Sequence, residues 1–210
     1  MAALYSYEIG VQFTGTGTAA STAASKVVTG AGGAIFLTEF DDGGAAGVDM
    51  GHGYLITIAG ETRVVDFVTN DTSLTVLENF TVGSAGQQTY TGVNLENLED
   101  LTTEVYPPKS TFQEFSQPVL LGDGTVRGAG WITGEWRWGF LTQAQRNQLR
   151  TFCTGASNAV FIRTHENDNS DEYTYFSGTL VWPTGNEEKD AGFRLDLVAR
   201  FQNLTEVVVA

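Results

Sequence analysis

Apolar and polar residues alternate along most of this chain in short runs, and only once does the alternation give way to a helical spacing. In Glu135-Trp-Arg-Trp-Gly-Phe140, Trp136, Trp138 and Phe140 fall on one strand face while Glu135, Arg137 and Gly139 fall on the other. One of those faces must be buried. Thr142 followed by Gln145 is a capping box, after which Leu141, Ala144, Leu149, Phe152 and Cys153 recur at roughly helical spacing and Gly155 suits the stop. The pattern predicts a tryptophan-bearing strand running almost without a loop into the one convincing helix. Near the C-terminus, Phe193, Leu195, Leu197, Ala199 and Phe201 alternate with Arg194, Asp196, Val198 and Arg200, which predicts a strand with one apolar and one mostly charged face.

The rest of the chain reads as short strands and turns. Residues 4–13 (LYSYEIGVQF) predict an opening strand, and the Gly, Thr, Ala and Ser texture of Thr14 to Ser25 is a flexible connection or a strand of small side chains. Five strand candidates follow at 27–29, 34–40, 54–58, 63–68 and 73–77, with turns at Ala59-Gly60 and Asn70-Asp71 that imply two successive hairpins and a small closed barrel. Asp41 to Gly53 is loop by composition. Leu95, Leu98 and Leu101 recur at three-residue steps, as a short helix or a leucine-anchored linker that Pro107-Pro108 ends. Beyond it come a strand-pair region at 110–121, a tight turn at Gly122-Asp123-Gly124, and strands at 159–164 and 173–182.

The expected fold is mainly β: a β-sandwich or sheet with one flanking α-helix, plus a small β-barrel domain. Residues 1–13 form an opening strand belonging to the assembly domain, 14–93 the barrel, 94–108 a linker, and 109–210 the sandwich with its helix. Trp136, Trp138, Phe140, Phe161, Tyr175, Leu180, Phe193, Leu195, Leu197 and Phe201 are the expected core, each burial contributing about 1.5–3 kcal/mol. Trp131 and Trp182, near glycine and proline at strand ends, are candidate anchors at a subunit contact, where tryptophan is enriched, and Tyr54 is a third.

Charge narrows the function. The 210 residues carry a formal net charge of −14, distributed as 13 acidic against 2 basic side chains in residues 1–104 (−11) and 12 against 9 in residues 105–210 (−3). Such a surface disfavours phosphate neutralisation, so non-specific binding to nucleic acid or anionic lipid is not expected. The single cysteine, Cys153, excludes an internal disulfide and reads as a small buried residue. No secretory signal and no membrane-length apolar run is evident, and a soluble protein made in a cytoplasm is expected.

Candidate chemistry is thin. Asp41, Asp42, Asp49 and His52 invite a metal hypothesis, but their spacing matches no compact loop, and the tip from His165 to Glu172 lacks the glycine and alternate ligands of a calcium loop. Neither histidine has a nucleophile in a recognisable setting. Glu114 and Glu135 are a possible glycosidase pair only by residue type. No catalytic residue, metal or cofactor is expected.

Two stretches carry a resemblance. Lys26-Val-Val-Thr-Gly-Ala-Gly-Gly-Ala-Ile-Phe-Leu-Thr-Glu-Phe40, then Gly53-Tyr-Leu-Ile-Thr-Ile-Ala-Gly-Glu-Thr-Arg-Val-Val65 and Asn70-Asp-Thr-Ser-Leu-Thr-Val76, resemble a small β-barrel module of phage virion proteins. Tyr106-Pro-Pro-Lys-Ser-Thr111, Gly128-x-Gly-Trp131, Trp136-x-Trp-x-Phe-Leu141, the capped helix, Val160-x-Ile-x-Thr164 and the amphipathic last strand resemble a tail tube or tail-tip (distal tail) ring protein of a long-tailed bacteriophage. The resemblance implies a structural virion protein, not an enzyme. Its subunits would form a homo-oligomeric ring, usually a hexamer, beside neighbouring tail proteins, with DNA passing without specific binding. An acidic conduit fits that passage, and the Gly-rich stretches at 14–25 and 45–53 would order on assembly. The alternative is a host-surface or carbohydrate-binding tail-tip module, favoured by exposed aromatic residues around a groove.

Overall fold

The computed structural model describes residues 7–40, 53–165, 173–183, 188–190 and 193–208. The chain divides into two compact units, one containing Gly10–Glu96 and the other containing residues 7–9 together with Asn97–Glu206. The expected opening strand is split between two sheets: β1 (Glu8–Gly10) joins one, and after Val11, β2 (Gln12–Thr14) joins another.

The first unit is a curled seven-stranded sheet. Its further strands are β3 (Thr18–Ser21), β4 (Val27–Ala31), β5 (Leu55–Ile58), β6 (Glu61–Asn70), β7 (Ser73–Val76) and β8 (Thr91–Val93), in the order β2-β8-β5-β6-β7-β4-β3. The two successive hairpins are present as β5 with β6 and β6 with β7, the first turning at Ala59-Gly60, both at positive φ. Segment 80–88 joins the far edge of the curl: Ala19 and Gln88 exchange backbone hydrogen bonds (2.8 and 2.8 Å), Ala24 donates to the Phe80 carbonyl (2.8 Å) and Ser84 donates to the Ser21 carbonyl (3.0 Å). Residues 14–25 are therefore already ordered within the single chain; most of 45–53 lies outside the described residues.

Ala34 to Phe40, expected as a strand, instead contains the short helix α1 (Phe36–Glu39). Gly32 and Gly33, both at positive φ, turn the chain away from β4, and one helical turn brings Phe36 and Phe40 to the same side, inside the curl beside Tyr90. The helix is tied at its end by Glu39, whose carboxylate accepts from the Thr16 amide (2.6 Å) and from the Tyr90 hydroxyl. Burial, and then the hydrogen bond and charge of Glu39, push the Tyr90 phenol well above its ordinary value.

The second unit is built on an eight-stranded sheet of β1, β9 (Glu96–Asn97), β10 (Lys109–Gln113), β13 (Ile132–Thr142), β14 (Ser157–His165), β15 (Tyr173–Val181), β16 (Glu188–Asp190) and β17 (Phe193–Glu206). Between β10 and β13 the chain forms a two-stranded sheet of its own, β11 (Gln117–Leu120) with β12 (Val126–Ala129). The main order is β10-β13-β17-β15-β14-β1-β9, with β16 paired to β17. Distant strands nevertheless touch through side chains. The Trp136 indole on β13 donates to Thr164 on β14 (3.0 Å), Phe112 on β10 lies 5.4 Å from Phe176 on β15, and Tyr7 shares a 2.7 Å hydroxyl bond with Ser110. The sheet thus rolls over on itself into a sandwich, with Trp136 in the middle against Tyr7, Trp138 and Phe201.

One helix, α2 (Gln143–Arg150), flanks that sandwich. Its predicted capping box is present: Thr142 Oγ1 accepts from the Gln145 amide (3.2 Å) and Gln145 Oε1 accepts from the Thr142 amide (2.9 Å). Gln145 also donates to the Glu104 carbonyl (2.9 Å), and Leu98, Leu101 and Val105 are buried in the same core as Leu149 and Phe152. Residues 97–105 are accordingly packed chain, with Leu98 donating to the Tyr7 carbonyl (3.0 Å).

Two expected core residues, Phe140 and Phe193, are exposed, and Phe161, Tyr175 and Leu195 are only half-buried, the core positions on β14 and β15 being Val160, Ile162, Phe176 and Leu180. The alternation of β13 slips at Gly139, so that Leu141 is buried and Phe140 is 57% exposed, in edge contact with a likewise exposed Phe193 (6.1 Å). The partner strand carries Asp196 at positive φ (52°), and a helix starting directly after Thr142 requires the residue before it, Leu141, to turn inward.

A candidate assembly arm and the trough at its base

The β11–β12 hairpin is shaped by its turn. Asp123 Oδ1 accepts from the amide and hydroxyl of Thr125 (2.9 and 2.7 Å), Gly124 takes φ 85°, and Leu121 donates to the Thr125 carbonyl (2.8 Å). These bonds hold the Asp123 carboxyl below its ordinary range. At the base, the Phe115 ring covers Gly128 so closely that a Cβ there would lie 2.4 Å from it, and Trp131 donates its amide to Ser116 Oγ (3.2 Å).

What the hairpin lacks is a covering surface. Phe115, Val119, Leu120, Leu121, Val126 and Trp131 are all exposed, Leu120 at 72%, and the two strands pair only with each other. An isolated two-stranded hairpin is marginal in water, and a contiguous exposed apolar surface of this kind marks an interaction site. Charged side chains are few here: Glu114, Asp123 and Arg127 are the only ones from 114 to 131.

Beside the arm's base, the outer face of the sandwich sheet forms a trough of about 320 Å³. Thr111 and Gln113 come from β10, Thr133 and Glu135 from β13, and Arg200 and Gln202 from β17, with Ser116 at the arm's end. Register sets these neighbours opposite one another, Thr111 with Glu135 and Glu135 with Arg200, and an irregularity between the pairs at Ile132 and Gly134, where Asn203 takes positive φ, bends the strands. Arg200 Nε donates to Glu135 Oε1 at 2.9 Å.

Of the three expected anchors, only Trp131 is at the surface, at 63% exposure. Tyr54 is 5% exposed and packs edge-on to Phe40 (6.5 Å) in the core of the first unit. Trp182 is 4% exposed, with the guanidinium groups of Arg146 and Arg150 over its ring at 5.4 and 4.8 Å. Both fill interior volume because each ends a strand on its core-facing side, and neither is available as a surface anchor. Three consecutive apolar residues, Val119-Leu120-Leu121, were the missed signal of the arm: a strand with one buried face alternates, and this one does not.

The remaining candidates do not converge. Among the described residues no group of three or more His, Cys, Asp or Glu side chains is placed to hold a metal ion. The acidic loop with Asp41, Asp42, Asp49 and His52 lies outside the described residues, as does the tip beyond His165, whose ring is 5.5 Å from Tyr173. Cys153 is fully buried, and burial pushes its thiol up despite Arg150 nearby. Glu135 is tied to Arg200, while Glu114 is exposed on the arm side. No described helix is long and apolar enough to cross a membrane. In comparison with known proteins, the chain matches no family model, no curated protein and no solved structure.

Proposed function

We propose that this chain is a structural, non-enzymatic subunit that assembles with copies of itself through the β11–β12 arm, as a ring of a bacteriophage tail tube or tail tip around the DNA channel. The single observation that carries the reading is the uncovered apolar arm, which carries few charges on a chain of net charge −14. Copies so acidic repel one another, and a contact surface with few charges is where that repulsion is least. The order of motifs that resembles tail proteins supplies the setting, the virion, and the acidic surface suits a conduit from which DNA must slide freely. A ring needs a heterologous contact, in which the arm of one subunit meets a different surface on the next.

The test is light scattering with negative-stain imaging of the purified chain over a concentration series, beside Leu120→Ser and Val126→Ser. Rings or tubes for the parent and dispersed particles for both variants are expected. A parent that stays monomeric at every concentration, or assemblies indifferent to both substitutions, would refute the role of the arm.

A further inference from the structure

The second unit has two apolar ends. Among its described residues nine large apolar side chains are exposed, and six of them belong to the arm and its base. The other three, Tyr106, Phe140 and Phe193, are all aromatic and gather at the opposite end of β13. We propose that this aromatic end of one copy is the surface that receives the β11–β12 arm of the next. The proposal rests on the assembly reading and names the other half of its contact.

Topology sets the two ends apart. β10 and β13 run antiparallel, with Gln113 opposite Thr133 where the arm leaves the sheet and Lys109 opposite Arg137 toward the other end. Before Lys109 the chain brings Tyr106 alongside, its carbonyl accepting from the Trp138 indole (2.7 Å). Across β13, Phe193 meets Phe140 edge-on (6.1 Å), and half-buried Leu195 stands opposite Phe140 in the register. From Ile132 to Phe140 a strand covers about 26 Å at roughly 3.3 Å per residue, and the polar trough occupies the sheet face at the arm's side of that span. Both ends are exposed in the single chain, so neither covers the other. A contact joining unlike ends is heterologous and repeats from copy to copy, as a ring or tube demands, whereas arm against arm would be isologous and stop at two.

Area and charge favour the same pairing. Five of the nine side chains are aromatic, each with about 150–250 Å² of surface and close to half of it exposed, so the rings alone bring roughly 500 Å² to a contact that needs about 1,000 Å² in total. Charge supplies the orientation. Asp123 at the arm's turn and Lys109 at the aromatic end are both exposed, and neither forms an ion pair among the described residues. Arg137, next to Phe140 on the same strand, meets only Asp196, at 3.6 Å and with both side chains more than half exposed. An acidic tip entering beside two cations is attracted there, on a chain whose copies otherwise repel.

The test is complementation between full-length variants. Leu120→Ser spoils the arm and keeps the aromatic end, while Phe140→Ser and Phe193→Ser spoil the aromatic end and keep the arm. Sedimentation velocity and light scattering are run on the parent, on each variant alone, and on Leu120→Ser mixed with either phenylalanine variant. The parent is expected to assemble, and each variant alone to need at least about tenfold more protein to do so. Each mixture holds one intact arm and one intact aromatic end per pair, and is expected to give particles of twice the monomer mass and nothing larger. Pairing in the mixture also shows that both variants are folded, and far-UV spectra check each one alone. The proposal is overturned if both phenylalanine variants assemble as the parent does, or if the mixtures stay monomeric. The two readings separate cleanly: phenylalanine variants that assemble while Leu120→Ser disperses sink the aromatic acceptor alone, whereas a Leu120→Ser chain that assembles like the parent, or a parent that never assembles, sinks both.

Discussion

Replacing Arg63 should unfasten the curled sheet. Arg63 is buried on β6 and reaches the segment that joins the sheet's edges with Nε, which donates to the Asn79 carbonyl (3.0 Å), and with Nη2, which donates to Thr81 Oγ1 (3.2 Å), the guanidinium lying 5.3 Å from the Phe80 ring centre; on its own strand Nη1 donates to the Thr62 carbonyl (2.8 Å) and Nη2 to Glu61 (3.0 Å). Glu61 grips the same segment from the other side, accepting from the amides of Thr81 (2.8 Å) and Val82 (2.7 Å). Removing one partner of a buried ion pair costs roughly 3–5 kcal/mol. Glu61 keeps its two amide donors, so Arg63→Ala belongs at the lower end, about 3 kcal/mol. Arg63→Lys keeps the charge but loses the planar fork, and should recover about half of that. With two compact units, a whole-chain melt need not be a single transition, so the readout is hydrogen exchange by mass spectrometry on peptides spanning 19–25 and 78–90, beside a urea titration. Faster exchange confined to those peptides is expected. Unchanged exchange together with a loss below about 1 kcal/mol, the worth of one ordinary hydrogen bond, would refute the account of Arg63 as the fastening.

Two further outcomes follow from the same contacts. Burial raises the Glu61 carboxyl, but the amides of Val82 and Thr81 and the charge of Arg63 outweigh it and leave it below its ordinary value of 4.5. A carboxyl depressed in the folded state stabilises above its unfolded value and loses that contribution as pH falls through the folded one; urea midpoints of parent and Glu61→Gln should therefore differ at pH 7 and converge below pH 4.5, and a gap that persists in acid would contradict this. In the sandwich, Thr164→Val keeps the shape but strands the Trp136 indole N–H in the core, at a cost of about 1–3 kcal/mol by urea titration, and a neutral result would mean the indole finds another acceptor.

The sequence made the local elements legible where one rule governed them. The Thr142–Gln145 box, the Asp123 turn and the amphipathic β17 follow from nearest neighbours in the chain, and the structure has each in place. Alternation misled where tertiary demands overrode it. Phe140 reads as core by period two but is turned out because Leu141 must sit beneath α2, and Ala34 to Phe40 reads as a strand but winds once because Gly32-Gly33 redirect it. Tyr54 and Trp182 were misplaced because strand-end position says nothing of which side the next layer covers. The trough was illegible for a different reason: residues 111–113, 133–135 and 200–202 become neighbours only through the order β10-β13-β17, which no single stretch encodes.

The place where the chain passes from one unit to the other bears on how such a protein could have been put together. It leaves through β1 and returns through β9, and these two short strands are paired side by side, with Gly10 so close to Asn94 that any side chain there would meet its carbonyl at 2.2 Å. A guest segment whose two ends are already adjacent adds almost no loop-closure entropy to its host, since that cost grows only as the logarithm of what lies between. Residues 10–96 are thus a cassette in the genetic sense, removable in principle by joining Ile9 to Asn97, and replaceable over evolutionary time by any fold whose termini lie one strand spacing apart.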